Sequence, residues 1–252
     1  MQTILIPVYI VVFLYGLIIG SFLNVCIYRI PKKENIVNVR SHCMQCDHKL
    51  RWHELIPLFS FILQGGKCRV CKSKISVQYP LIEGFNGILY VLIFIMNGFC
   101  ADSLLYCLLT SALLVLSVID FRTYEIPIEI NYFIFVLGLI RAVFHYNDWF
   151  NYVIGFFAVS TVLYLIFLIT KGKGIGGGDM KLMAVCGLFL GWKEIILAFL
   201  IGCIIGSVVH IFRMRLTKCD HVLALGPYLS VGVFISMIWG GDLITWYLGQ
   251  FM

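Results

Sequence analysis

The sequence predicts an all-α polytopic membrane protein: about eight transmembrane helices and one small polar loop domain. Three observations lead there. Of the 252 residues, 61% are hydrophobic and only 13% are charged, a balance that a water-soluble domain of this size does not carry. The apolar residues come in blocks that approach the roughly 20 residues a helix needs to cross a bilayer. The lysines and arginines lie mostly between those blocks, as residues that set membrane topology do.

Eight blocks are predicted as spans, at about 7–28, 81–98, 104–120, 131–145, 152–170, 182–192, 195–212 and 227–248. The fourth and sixth are short, which leaves tilted, broken and partly re-entrant passages open. The first block has no basic segment before it and runs directly into Asn24 and Arg29, so it is expected to stay as a helix rather than be cleaved as a signal peptide. With the N-terminus outside, the long polar stretch 29–80 and its many basic residues are cytosolic. The same alternation places Arg122, Lys171, Lys173, Lys181, Arg213, Arg215 and Lys218 on that side and leaves only Arg141 and Lys193 outside, as the positive-inside rule requires. The net charge of +6 therefore reads as topology, and no nucleic-acid partner is expected.

The ten cysteines fall into two kinds. Cys26, Cys100, Cys107, Cys186 and Cys203 lie in or beside apolar blocks and read as small core residues. Cys219 stands in a short polar loop without an evident partner. Cys43 and Cys46, then Cys68 and Cys71, form two Cys-x-x-Cys pairs in the polar stretch. Each pair makes a tight knuckle that aims two sulfurs at one point, and two knuckles supply the closed tetrahedron of a structural zinc site. A cytosolic location argues against disulfides, and redox-active or unpaired thiols are the competing readings. A loop of this size has little core of its own, so a metal would help it fold.

Two acids stand out. Asp120 ends the third block, and Asp179 follows the glycine run Gly174-Ile175-Gly176-Gly177-Gly178 at the entry to the sixth. Alternation puts both at the cytosolic face. Taken singly, Asp120 reads as a helix-end residue paired with Arg122 and Asp179 as a helix N-cap. Together they suggest a carboxyl pair in which one member keeps its proton. The ionised member takes a proton from water while the neutral one polarises a peptide carbonyl. Gly176, Gly177 and Gly178 would leave room for a substrate backbone. Glu83, at the start of the second block, is a lone carboxylate that needs a partner or a task.

These residues resemble the type IV prepilin peptidase family, membrane aspartic proteases that also N-methylate their product. Gly176-Gly177-Gly178-Asp179 resembles the family's Gly-x-Gly-Asp signature. Asp120 with Glu125-Ile126-Pro127 resembles its first aspartate and trailing Ile-Pro. Gly20-Ser21-Phe22-Leu23-Asn24-Val25 with Arg29 and Pro31 resembles its N-terminal signature, and the cysteine quartet stands where bifunctional members carry theirs. Leu55-Ile56-Pro57, Gly66-Lys67-Cys68, Ile75-Ser76, Tyr79-Pro80 and Glu83 follow the same pattern. Gly226-Pro227 matches a Phe-Gly-Pro element, although Leu225 replaces the aromatic residue and Ala224 the preceding proline.

The resemblance implies three regions: a first transmembrane helix at 1–28, a cytosolic zinc-binding loop associated with methyl transfer at 29–80, and an aspartic protease core at 81–252. It implies catalysis by Asp120 and Asp179, structural zinc on Cys43, Cys46, Cys68 and Cys71, and S-adenosylmethionine as methyl donor, with Asn24, Arg29, Gly66 and Glu83 as candidates for its site. The implied substrates are type IV prepilins or pseudopilins, in a bacterial cytoplasmic membrane. Their short basic leader is cut after glycine, beside an apolar helix. Glu34, Glu54, Glu125 and Glu129 are candidates for attracting that leader. A peptidase without methyl transfer and, in a different class, an ion-relay transporter with a zinc-ribbon docking loop are the competing readings.

Overall fold

The computed structural model describes residues 2–172, 174–216 and 223–250; Lys173, Lys218 and Cys219 lie outside them. Among the described residues the regular structure is helical, with two isolated β-bridges, His42 with Lys49 and Lys67 with Lys74. The chain divides into two compact units, Met1–Ser103 and Leu104–Met252.

The first unit contains α1 (Gln2–Arg29), the short α2 (Phe59–Leu63) and α3 (Gln78–Asn97). Helices α1 and α3 run antiparallel and pack backbone against backbone. A Cβ on Gly16 would stand 2.6 Å from the Gly87 Cα, and one on Gly20 would stand 2.7 Å from the Glu83 Cα. Small residues four apart let membrane helices approach this closely. Polar side chains then join the pair. Asn86 Nδ2 donates to the Gly16 carbonyl at 2.8 Å and Asn24 Nδ2 to the Tyr79 carbonyl at 3.2 Å. The other face of α1 exposes Ile10, Val11, Leu14, Tyr15 and Ile18, a surface suited to lipid.

The second unit contains most of α4 (Ala101–Thr123), then α5 (Ile128–Phe144), α6 (Trp149–Ala158), α7 (Ser160–Ile169), α8 (Gly177–Leu190), α9 (Trp192–Leu216) and α10 (Gly226–Leu248). Helices α5 and α8 run parallel, with Ile126 against Gly178 at one end and Gly138 against Leu188 towards the other. Helix α6 enters from that second end, where Gly155 abuts Gly187 and Gly191. Helices α9 and α10 are antiparallel, with Gly202 at Leu229 and Gly232 at Ala198. The division between α6 and α7 falls at Val159, where the Ser160 hydroxyl donates to the Phe156 carbonyl. Such a bond back along the chain bends helices.

All eight predicted blocks fold as helices. Six stretches are long and apolar enough to cross a membrane: Ile6–Arg29, Gln78–Asn97, Ala101–Thr123, Tyr146–Ile169, Trp192–Arg215 and Gly226–Leu248. The fourth and sixth blocks become α5 and α8, of 17 and 14 residues. At about 1.5 Å per residue both are shorter than the roughly 30 Å hydrocarbon core, so the predicted count of eight is not matched by eight full-length spans.

Arg141, one of the two basic residues assigned outside, has a structural task. Its Nη1 donates to the Phe189 carbonyl at 2.6 Å and its Nη2 to the Tyr106 hydroxyl at 2.7 Å. The guanidinium also lies over the rings of Tyr106, Tyr152 and Phe189. The Phe189 carbonyl belongs to the last turn of α8, where carbonyls have no intrahelical donor and a cation is favoured. Arg141→Met should therefore destabilise the second unit by about 2 kcal/mol, the scale of a buried carbonyl losing a charged donor. It should also lower the thermal midpoint in detergent. A midpoint equal to wild type would show that α8 does not depend on this cap.

Candidate active site

Asp120 and Asp179 both lie in the second unit, at the end marked by the start of α5, α8 and α10. Asp120 is near the C-terminus of α4 and only 4% exposed. Its Oδ2 accepts the Gly226 N–H at 2.9 Å. Gly226 opens α10, so this N–H is one of the unpaired donors at the positive end of a helix. Glycine here leaves room for the acid: a Cβ would stand 2.7 Å from Asp120 Oδ2 and 3.1 Å from its Cγ, and the carboxyl would have to shift.

Asp179 occupies the third position of α8, whose N-cap is Gly176. It is therefore not the N-cap that its sequence position suggests. Its carboxyl accepts the Gly176 N–H, as the acid of a capping box does. Asp179 lies outside the six long spans. Burial, and then the charge of Asp120, push it up to about 7, with the Gly176 bond working the other way. The charge of Asp120 thus reaches the Asp179 carboxyl, which the sequence alone could not establish.

The glycine run does not have one purpose. A Cβ on Gly178 would press on Ile126 Cβ at 3.0 Å, so this glycine lets the start of α8 pack on the Ile126-Pro127 turn. A Cβ on Gly176 would meet the Asp179 carboxyl at 3.0 Å, whereas one on Gly177 would point into open space. Of the three, Gly177 is the one that faces room for a ligand.

Two residues at this end were not singled out from the sequence. Asn131, one turn into α5, and Ser230, one turn into α10, are each 5% exposed. Among the described residues, the Asn131 amide and the Ser230 hydroxyl have no hydrogen-bond partner. The available signal was a polar residue inside an apolar block, Ile130-Asn131-Tyr132.

In the first unit the four loop cysteines converge. Their sulfurs all lie within 4.8 Å of one another, with Cys43 and Cys71 at 3.8 Å and Cys46 and Cys68 at 4.0 Å. A tetrahedron with metal–sulfur bonds of about 2.3 Å has edges of about 3.8 Å, so the set fits a four-thiolate metal site. The two knuckles are built alike. Cys43 N–H donates to the His48 carbonyl and Asp47 N–H to the Cys43 carbonyl; Cys68 N–H donates to the Ser73 carbonyl and Lys72 N–H to the Cys68 carbonyl. Asp47 and Lys72 take the same positive φ, 53° and 59°. The Gln45 N–H leads the interactions that pull Cys43 down to about 6, while its neighbour Cys46 moves up, so the quartet shares its protons unevenly. Of the cysteines read as core, Cys26, Cys107 and Cys186 are buried, Cys203 is half-buried and Cys100 is exposed.

Glu54 supports the first knuckle. Its carboxylate accepts the Arg51 N–H at 2.8 Å and lies 3.3 Å from His48 Nε2 and 3.9 Å from Arg69 Nε. The Arg51 N–H first, then His48 and Arg69, hold it below the usual carboxylate range. These interactions occupy Glu54, which makes it a poor candidate for a basic leader, and His48 is tied to it rather than solvated.

A cavity of about 350 Å³ lies between α1, α3 and the cysteine loop, within the size range of small-molecule sites. Asn24, Arg29 and Glu83 line it, with Tyr28, Phe61, Tyr79 and a run of polar loop residues. Gly66 does not; it stands behind Phe61, with a φ of +66° that favours glycine. Arg29 holds the loop, its Nη1 donating to the carbonyls of Asn35, Ile36 and Val39. Glu83 Oε2 accepts the Leu58 N–H at 2.8 Å, and the Ser21 hydroxyl also bonds its carboxyl. The mix of aromatic faces, amides and carboxylates fits a nucleoside carrying an amino-acid group.

The chain is similar to known proteins along most of its length. Residues 14–97 match the bacterial peptidase A24 N-terminal domain and residues 107–211 match the type IV leader peptidase family. The prepilin leader peptidase/N-methyltransferase of Pseudomonas putida is 31% identical over 90% of this chain and 89% of its own length. The protein of the same name from Bacillus subtilis is 33% identical over 94% of this chain and 97% of its own. No solved structure matches. With both halves matched and full-length relatives at this identity, the chain is an enzyme of the type IV leader peptidase family.

Proposed function

We propose that this enzyme cleaves the short basic leader of type IV prepilin-like proteins after glycine, at the cytosolic face of a bacterial cytoplasmic membrane, and then N-methylates the new N-terminal residue with S-adenosylmethionine. The observation that carries the peptidase half is the carboxyl pair. The charge of Asp120 raises the Asp179 carboxyl, and both acids sit where three helices begin. Asp179, pushed up to about 7, is the member that keeps the proton and donates to the scissile carbonyl. Asp120, oriented by the Gly226 N–H, is the base that takes a proton from the attacking water. The substrate backbone passes over Gly177. The Asn131 amide and the Ser230 hydroxyl lie one turn inside this site and suit a peptide group of the substrate. The side-by-side packing of α5 and α8 supports successive passes through the membrane, and the distribution of basic residues supports the cytosolic location of the pair.

In this reading Cys43, Cys46, Cys68 and Cys71 hold a structural zinc ion that closes the loop. The cavity lined by Asn24, Tyr28 and Phe61 holds S-adenosylmethionine, which supplies the methyl group. Arg29 acts by shaping the loop that forms one wall.

Asp120→Asn and Asp179→Asn should each abolish cleavage of a prepilin in proteoliposomes while the metal content stays unchanged. Cleavage retained by either variant would remove that residue from the dyad. Gly226→Ala tests the geometry. The new methyl group would displace Asp120, and a displacement near 1 Å costs on the order of 100-fold in rate. A rate within twofold of wild type would show that the Gly226 contact does not position the base. Purified enzyme should also contain about one zinc per chain by elemental analysis. Cys68→Ser should lose that zinc and lower methyl transfer, and a cysteine set found oxidised or metal-free in enzyme purified under reducing conditions would overturn the zinc assignment.

A further inference from the structure

A second cavity, of about 420 Å³, adjoins the polar one. It is lined by Leu14, Leu17, Ile18, Trp52, Leu55 and Phe59 and their neighbours. The two cavities share Ser21 and Leu55. One is polar and sized for a nucleoside; the other is a largely apolar groove along the membrane-spanning part of α1. Ser21 stands at their junction and hydrogen-bonds the Glu83 carboxyl.

The carboxylates at the polar cavity are Glu54 and Glu83. Glu54 is engaged by the Arg51 N–H, His48 and Arg69. Glu83 is 6% exposed, in an apolar helix, and is fixed by an unusual turn. Leu58 has φ +59° and ψ −53°, and the Phe59 N–H donates to the Pro57 carbonyl at 2.6 Å. This is a γ-turn of the rare, strained hand. The strain directs the Leu58 N–H at Glu83 Oε2, 2.8 Å away. Such strain persists only where the surroundings hold it, here between Pro57 and Phe59, which line the apolar cavity.

We propose that Glu83 is the catalytic group of methyl transfer rather than a ligand of the methyl donor: it receives the α-ammonium of the processed substrate and takes its proton. The apolar groove holds the first turns of that substrate's apolar helix, so that the new N-terminus reaches the junction at Ser21. The inference rests on the methyltransferase reading above. An ammonium has no lone pair and cannot attack. Once its proton passes to the Glu83 carboxylate, the amine nitrogen bonds to the methyl carbon of S-adenosylmethionine as the carbon–sulfur bond breaks. The bonding pair leaves with sulfur, which becomes the neutral thioether of S-adenosylhomocysteine. The substrate becomes a secondary ammonium. The groove suits this occupant because it lies on α1 and opens directly onto the polar cavity; an acceptor that was not embedded would not need an apolar approach.

The test uses full-length enzyme in proteoliposomes and a peptide that begins at the mature N-terminus. Three quantities are measured: binding of radiolabelled S-adenosylmethionine by photo-crosslinking, methyl transfer to the peptide, and cleavage of the intact prepilin. Glu83→Gln keeps an acceptor for the Leu58 N–H. It should bind S-adenosylmethionine as wild type does and lose about 100-fold in methyl transfer at pH 7, the usual scale for a lost acid–base group. Its residual transfer should rise about tenfold per pH unit until near pH 8, because a free α-amino group loses its own proton there. Ile18→Trp, which fills the groove, should raise KM for the peptide and leave crosslinking unchanged.

Loss of crosslinking in Glu83→Gln would make Glu83 a ligand of the methyl donor and overturn the proposal. Full methyl transfer by that variant, or a flat pH profile, would overturn it too. Should Glu83→Gln fail to assemble, an unchanged peptide KM in Ile18→Trp, with the groove occupied by lipid only, would overturn the placing of the acceptor. Wild-type enzyme that cleaves prepilin and binds no S-adenosylmethionine would instead sink the methyltransferase reading, and this proposal with it.

Discussion

The second unit is organised around two carboxyl groups, Asp120 buried and Asp179 half-buried, at the end where α5, α8 and α10 begin. Unsupported, such a pair is costly, because both desolvation and mutual repulsion act against the charged forms. The fold answers with helix N-termini. Asp120 faces the first N–H of α10, and Asp179 lies in the first turn of α8 with its carboxyl turned back to the N-cap amide. Each acid therefore meets a backbone donor and the positive end of a helix.

That arrangement accounts for several otherwise separate features. Gly226 has no side chain because Asp120 occupies the space. Gly178 has none because Ile126 does, and the Ile126-Pro127 turn is what starts α5 beside α8. At the far end, Arg141 caps the last turn of α8 and is held among Tyr106, Tyr152 and Phe189. Helix α8 is thus fixed at both ends, by acids and glycines at one and by a cation at the other.

Much of this was legible in the sequence, and the reasons are physical. Blocks of apolar residues identify helices in lipid because lipid leaves the backbone no other way to satisfy its hydrogen bonds. The cysteine spacing identified the knuckles because metal geometry admits few alternatives. The roles of single residues were less accessible. The glycine run looked uniform, yet Gly176, Gly177 and Gly178 face three different surroundings. Asp179 resembled an N-cap and is the third residue of its helix. Gly226 was seen only as part of a pattern, because its bond to Asp120 spans more than a hundred positions. Asn131 and Ser230 were missed because one polar residue in an apolar block says nothing of whether it has a partner.

The same distinction separates the two buried carboxylates of the first unit. From sequence, Glu54 and Glu83 are both acids near a cysteine loop. In the structure Glu54 has a backbone N–H, a histidine and an arginine around it, and each interaction tightens a metal knuckle. Glu83 has one backbone N–H and one hydroxyl, both neutral, at the meeting of a polar cavity and an apolar groove. A carboxylate satisfied by charged neighbours is committed to structure. One held only by neutral donors, in an apolar helix, can still accept a cation.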